Sequence, residues 1–395
     1  MLKINNIQIA GIGPIKKLEL TFDSHFNIIC GQNGIGKTTI LDCLAQSFGQ
    51  WHTSVKKTAN IEEGNWSISY SINEVTQIKS FDITSFHPNE INYNKQGLFG
   101  LYQQSNEIIV FKTHRDIPYQ HINSLNTDPQ KNISQFANET MQGSLPNDLK
   151  NWFVNRHLWS KHEDHLDSAQ LKNIDLAKRC FSILNSNISF SRVNPNSNDI
   201  MLNTPNGEIY FEYLSSGYKS CMAVLIGIIK EIEFRYKSPS RFISDFDGLV
   251  FIDEIDLHLH PEWQAKIYEA LKHVLPNAQI FTSTHSPHII QVAKPNEIIP
   301  LTLDDANEIK LNPIINKEYG CQGWTVEEIL KDVMGMSETR TETYLTATKN
   351  FNKAIDNENF ELAQKEFQNL DAMLHPENPL KKILKIQLTG ISEND

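Results

Sequence analysis

At 395 residues, with 39% hydrophobic and 21% charged residues, the chain is long enough for one large domain or two smaller ones around a real core. No apolar run approaches the ~20 residues a membrane helix needs, Met1-Leu2-Lys3-Ile4 reads as strand rather than leader, and five scattered cysteines without a CxxC pair argue against a zinc or disulfide framework and fit a reducing cytoplasm. A net charge of −11 argues against coating of DNA by the whole surface, though not against a local basic patch.

The first forty residues read strand, turn, strand, strand, loop, helix. Lys3 to Ile9 alternates, Gly11-Ile12-Gly13-Pro14 turns the chain, and Leu18 to Phe22 alternates again. Phe26 to Cys30 is near-continuously apolar, as a buried strand should be. Ile40, Leu41, Leu44, Ala45 and Phe48 then recur at helical spacing. Trp66 to Ile72, Lys79 to Ile83 and Glu107 to Phe111 read as antiparallel strands flanking this lobe. From about Asp116 to Asp175 the chain turns polar, with one amphipathic patch at Leu149, Trp152, Phe153, Arg156 and Trp159. Strands resume at Ile188 to Val193, Ile200 to Leu202 and Glu208 to Tyr213, with Asn206-Gly207 as a hairpin turn. An apolar helix follows over Tyr218 to Arg235, then a buried strand at Leu249 to Asp253. Pro261 starts a helix, and Gln279 to Thr284 is another buried strand. Thr325-Val326-Glu327-Glu328 is a capping box. Beyond it, Tyr344, Ala347, Phe351 and Ala354 face Phe360, Ala363, Phe367, Leu370 and Leu374 across a helical hairpin with its turn at 356–359.

Four motifs carry chemistry. Gly31-Gln32-Asn33-Gly34-Ile35-Gly36-Lys37-Thr38 lies between a strand and a helix, as a phosphate-binding loop does. Its glycines let main-chain N–H groups approach a polyphosphate at a helix N-terminus, so Asn33, Gly34, Ile35, Gly36, Lys37, Thr38 and Thr39 form the candidate cradle. Lys37 is expected to reach the terminal phosphates of ATP, and Thr38 to ligate Mg²⁺. Asp253 and Glu254 end a strand of apolar residues, where two carboxylates are costly without a cation. Asp253 is the second candidate metal residue, and Glu254 the general base for the attacking water. Leu214-Ser215-Ser216-Gly217-Tyr218-Lys219 opens a buried helix, so Ser215, Ser216 and Gly217 can meet a γ-phosphate carried by another subunit. His285 follows Thr282-Ser283-Thr284 at a strand end, within reach of that phosphate or the water. The histidines 258, 260, 285 and 288 lack the cysteine or third carboxylate of a metal cluster, and His162-Glu163-Asp164-His165 reads as solvated.

Together these residues resemble the ABC-type head ATPases of the SMC, RecF and OLD group, from Ile28 to Asp42 and again through Lys219 after the signature. Asp253-Glu254-Ile255-Asp256-Leu257-His258-Leu259-His260-Pro261 is similar to the OLD-like subgroup, and Gly323-Trp324-Thr325-Val326-Glu327-Glu328-Ile329-Leu330 to the PtuA-like ATPases of Septu and retron-linked antiphage systems. The resemblance implies an α/β P-loop fold of ABC-head type, with a mixed central sheet flanked by helices and an antiparallel β subdomain. It implies a first ATPase lobe over 1–115, a polar, helical insertion over 116–178, a second lobe over 179–301 and C-terminal helices over 302–395. It also implies a homodimer or higher homo-oligomer in which Ser215 and Gly217 touch the opposite protomer's γ-phosphate, with His285 as the switch histidine. The expected partner is a separately encoded HNH-type nuclease, with DNA or a reverse transcriptase and its non-coding RNA as further candidates. The alternative is a RecF-like repair ATPase acting directly on DNA. Two departures stand out. The family's Q-loop glutamine is missing where Thr113-His114-Arg115 stands, and the Toprim nuclease of OLD proteins has no counterpart after His285.

Overall fold

Strands that are apolar on both faces build the centre of the protein. In a computed structural model, residues 1–90, 92–93, 99–162, 165–313 and 318–392 are described; Glu163 and Asp164 of the histidine-flanked string lie outside them. In chain order the strands are β1 (Leu2–Ile12), β2 (Ile15–Thr21), β3 (Phe26–Gly31), β4 (His52–Thr53), β5 (Gly64–Ile72), β6 (Val75–Ile83), β7 (Asn92–Tyr93) and β8 (Ile108–Phe111). They continue with β9 (Ser189–Val193), β10 (Ile200–Thr204), β11 (Gly207–Tyr210), β12 (Leu249–Ile252), β13 (Gln279–Ser283), β14 (Ile298–Leu303) and β15 (Ile309–Leu311).

Six of them form the main sheet in the order β15-β14-β3-β13-β12-β8, all parallel except β15. Successive residues of one strand point to opposite faces, and each face has its own core. Ile28, Ile109, Val250 and Ile252 pack with the helices Leu149–Trp159, Ser168–Ile183, Ser216–Arg235 and Pro261–Val274. Ile29, Val110, Leu249 and Phe251 pack with the helix Lys37–Gln46 and the four-stranded antiparallel sheet β2-β1-β5-β6. This corrects the expectation for residues 107–111. They do not flank the lobe as an antiparallel strand; β8 is the parallel neighbour of β12, buried at all four positions. A run apolar on both faces can bury both only inside such a sheet.

The Asn206-Gly207 turn joins β10 and β11 with Thr204 opposite Gly207. The polar stretch after Asp116 contains three helices, Ile133–Gln142, Leu149–Trp159 and Ser168–Ile183, the last running past residue 178.

The chain divides into two units, Met1–Gly335 and Met336–Asp395. The described residues of 302–335 therefore pack with the first unit, including β15 and the capping box, where Thr325 Oγ1 accepts from the Glu328 N–H at 3.2 Å. The second unit holds the expected hairpin, Glu342–Asp356 and Phe360–Met373, and a third helix, Leu380–Ser392. Phe351, Ala354, Ala363, Leu370, Leu384 and Leu388 form its core. Among the described residues no helix is long and apolar enough to cross a membrane.

Candidate active site

Parallel strands gather their carboxyl ends at one edge of the sheet, where side chains from several strands can converge. β3 ends there in Gly31, and a Cβ at this position would stand 2.5 Å from the Leu301 carbonyl oxygen on β14. Gly34 and Gly36 follow at φ 76° and 94°, the left-handed region that side chains resist. A Cβ at Gly34 would meet nothing within 4 Å, so conformation rather than packing requires that glycine and the loop face is open there. Lys37 starts the next helix, buried, with its ammonium donating to the carbonyls of Gly31 at 3.0 Å and Gln32 at 2.9 Å. Burial lowers its pKa, and the carboxylates of Glu254, Asp253 and Asp256 oppose that shift.

β12 delivers the carboxylates beside this loop. The Asp253 N–H donates to the Phe111 carbonyl at 2.9 Å, and Ser283 Oγ donates to Asp253 Oδ1 at 2.6 Å. Thr38 Oγ1 stands 3.1 Å from both Asp253 oxygens. Glu254 adopts a left-handed backbone, φ 50°, and its N–H donates to Ser283 Oγ at 2.7 Å. Asp256 Oδ1 accepts from Thr284 Oγ1 at 2.6 Å and from the His285 N–H at 3.2 Å, which anchors the end of β13. His285 is half-buried, and burial together with the nearby Lys37 charge lowers its pKa, against the opposing pull of Asp256, Glu254 and Asp253. Arg115, buried, donates through Nη1 to the Asp253 carbonyl at 3.0 Å and through Nη2 to the Glu254 carbonyl at 2.6 Å. Among the described residues no ion pair within 4.0 Å involves Lys37, Arg115, Asp253, Glu254 or Asp256. Thr38 and Asp253 are hard oxygen donors at one point, the kind of set that suits a magnesium ion shared with phosphate oxygens.

Two family models match along the chain, an AAA domain over residues 6–192 and "AAA domain, putative AbiEii toxin, Type IV TA system" over residues 185–291. Septu protein PtuA of Bacillus thuringiensis is 44% identical over 391 residues, covering 98% of each chain. The chain belongs to the Septu PtuA family. Retron Vc95 probable ATPase of Vibrio cholerae serotype O1 biovar El Tor is 28% identical over 221 residues, 55% of this chain and 39% of that one. Among solved structures, the Smc head domain of Pyrococcus furiosus bound to the C-terminal domain of ScpA has a TM-score of 0.44 at 13% identity, covering 79% of this chain and 96% of that one. The protein is an ATPase built on AAA-type domains.

The fold thus brings Lys37, Thr38, Asp253, Glu254 and His285 to one sheet edge. Among the described residues no hydrogen bond joins Ser215, Ser216 or Gly217 to residues 31–39. Ser215 Oγ instead caps its own helix, accepting from the Tyr218 N–H at 3.3 Å, and Ser215 and Ser216 are exposed. Gly217 is buried because a Cβ there would stand 2.0 Å from the His258 carbonyl oxygen. The glycine therefore lets the signature helix press on the His-Leu-His-Pro loop, whose His260 Nδ1 accepts from the Glu262 N–H at 3.4 Å and starts the helix Pro261–Val274. Sequence reasoning missed Arg115, Ser283 and Asp256. Only Arg115 left a signal, as the cation standing where a glutamine was expected.

Proposed function

We propose that the protein is the ATP-binding and ATP-hydrolysing switch of an antiphage defence complex. Two copies close on ATP through shared sites, and their opening and closing control a separately encoded HNH-type nuclease. One observation carries the chemistry: Thr38 Oγ1 lies 3.1 Å from both oxygens of Asp253, with Lys37 beside them on the loop. Magnesium, held by Thr38 and Asp253 together with the nucleotide, would neutralise charge on the β- and γ-phosphates.

Lys37 then exchanges its two carbonyl acceptors for phosphate oxygens, while the N–H groups of residues 33–39 cradle the phosphates. Glu254, one residue past Asp253, takes the proton of the attacking water. His285 donates a ring N–H to the γ-phosphate. Exposed Ser215 and Ser216, free of their own chain's phosphate loop, are available to the nucleotide of a second copy. Membership in the Septu family supports the defence role. In full-length protein, Glu254→Gln is expected to keep ATP binding and cut hydrolysis by ~10²–10⁴. Hydrolysis at the native rate would remove Glu254 as the base.

A further inference from the structure

We propose that Arg115 is a positioning residue for ATP hydrolysis, aiming the Glu254 carboxylate by gripping the backbone on both sides of the Asp253–Glu254 junction. The inference rests on Glu254 being the base. Its two Nη groups reach the carbonyl oxygens of Asp253 and Glu254 at 3.0 and 2.6 Å. In a pleated strand consecutive carbonyls point in opposite directions, so one guanidinium reaches both only where the chain turns between them. The left-handed backbone of Glu254, φ 50°, is that turn. For a residue other than glycine this conformation is strained and persists where surrounding bonds over-determine it.

Four such bonds surround Glu254. Two come from Arg115; the others are Ser283 Oγ accepting from the Glu254 N–H and the Glu254 carbonyl accepting from the Leu257 N–H at 2.9 Å. The turn sends neighbouring carboxylates to different tasks. Asp253 faces Thr38, while the Glu254 side chain leaves the strand axis and is only partly buried. A planar, rigid, permanently charged fork suits the grip, because it fixes two acceptors at once and offsets the crowding of Asp253, Glu254 and Asp256. Arg115 reaches the junction from the end of β8, whose Phe111 carbonyl accepts the Asp253 N–H, so clamp and clamped strand are in register. Arg115 thus stands where the family's glutamine is missing, acting on the base through the backbone.

Full-length Arg115→Met, Arg115→Lys and Arg115→Gln, beside Glu254→Gln, test this by steady-state hydrolysis and ATP affinity. A base displaced by about an ångström loses on the order of 10²-fold. Arg115→Met is therefore expected to lower kcat by that order with ATP affinity unchanged, and Arg115→Lys, which can reach one carbonyl, to recover part of the loss. Unchanged kcat in Arg115→Met, or equal losses of affinity and kcat, would overturn the proposal. If Arg115→Met fails to fold, native kcat in both Arg115→Lys and Arg115→Gln overturns it, and a graded loss from Arg to Lys to Gln at constant affinity supports it. Native hydrolysis by Glu254→Gln would sink the base assignment and this inference with it; a dead Glu254→Gln beside a fully active Arg115→Met would sink this inference alone.

Discussion

Two regions of the first unit concentrate charge, and they treat it in opposite ways. Where the insertion meets the signature helix, charges are buried in pairs. Glu231 is fully buried, with Lys230 at 3.0 Å, Lys131 at 3.1 Å and Arg235 within bonding contact. Burial pushes the Glu231 pKa up, but Lys230, Arg235 and Lys131 together hold it well below the usual carboxylate range. Glu233 accepts from Arg156 Nε at 2.7 Å, Trp152 Nε1 at 2.9 Å and Asn173 Nδ2 at 3.1 Å, tying two insertion helices to the same helix. At the sheet edge the charged residues are bonded instead to hydroxyls and backbone: Lys37 to carbonyls, Asp253 to Thr38 and Ser283, Arg115 to carbonyls. Charges that answer each other hold the fold; charges parked on neutral groups can change partners when a nucleotide arrives.

This contrast breaks if the two sets of residues respond alike to mutation. Glu231→Ala leaves buried Lys230 without its carboxylate and Lys131 and Arg235 sharing Glu139 alone, and is expected to lower stability by about 3–5 kcal/mol, read from denaturant midpoints, with turnover per folded molecule preserved. Lys37→Ala is expected to leave the midpoint close to native while ATP affinity falls by roughly 10²-fold, the weight of a charge-assisted hydrogen bond at its upper end; equilibrium dialysis measures it. The smallest effect sharpens the comparison from within the insertion. His157 packs edge-on against Phe190 at 5.0 Å, its buried Nδ1 has no hydrogen-bond partner among the described residues, and burial, with Lys178 and Lys161, lowers its pKa to about 4. The unfolded chain takes up this proton near pH 6.5 and the folded protein only near pH 4. Stability is thus expected to fall as pH drops through that window and to level off below it, and His157→Gln to flatten the slope in melting curves.

What could be read from sequence follows the range of the interactions. The strand–loop–helix unit around Lys37 was legible because strand, glycines, lysine and helix are contiguous, and the β10–β11 turn because Asn206-Gly207 carries its own conformational preference. Residues 116–178 were not, since Lys150, Arg156 and Asn173 look solvated until carboxylates 49 to 77 residues away bond them. Arg115 grips carbonyl oxygens, which every residue has, so its contacts leave no pattern in side-chain identity. The need for Gly217 comes from the His258 carbonyl across the fold rather than from a local turn. The third C-terminal helix could have been found, because Leu380, Leu384, Leu388 and Ile391 recur at helical spacing.

Sharing of each ATP between two copies is the central claim, and mixed complexes test it most directly. Ser216→Glu puts a carboxylate at an exposed helix N-terminus, a placement helices tolerate, yet one that repels a phosphate. Co-expressed under separate tags and purified as a mixed pair with Lys37→Ala, it leaves one site in which native Lys37 faces native Ser216. The account predicts that each variant alone is near background and that the mixed complex regains a large part of native ATP hydrolysis. A mixed complex no more active than its two parents would contradict it.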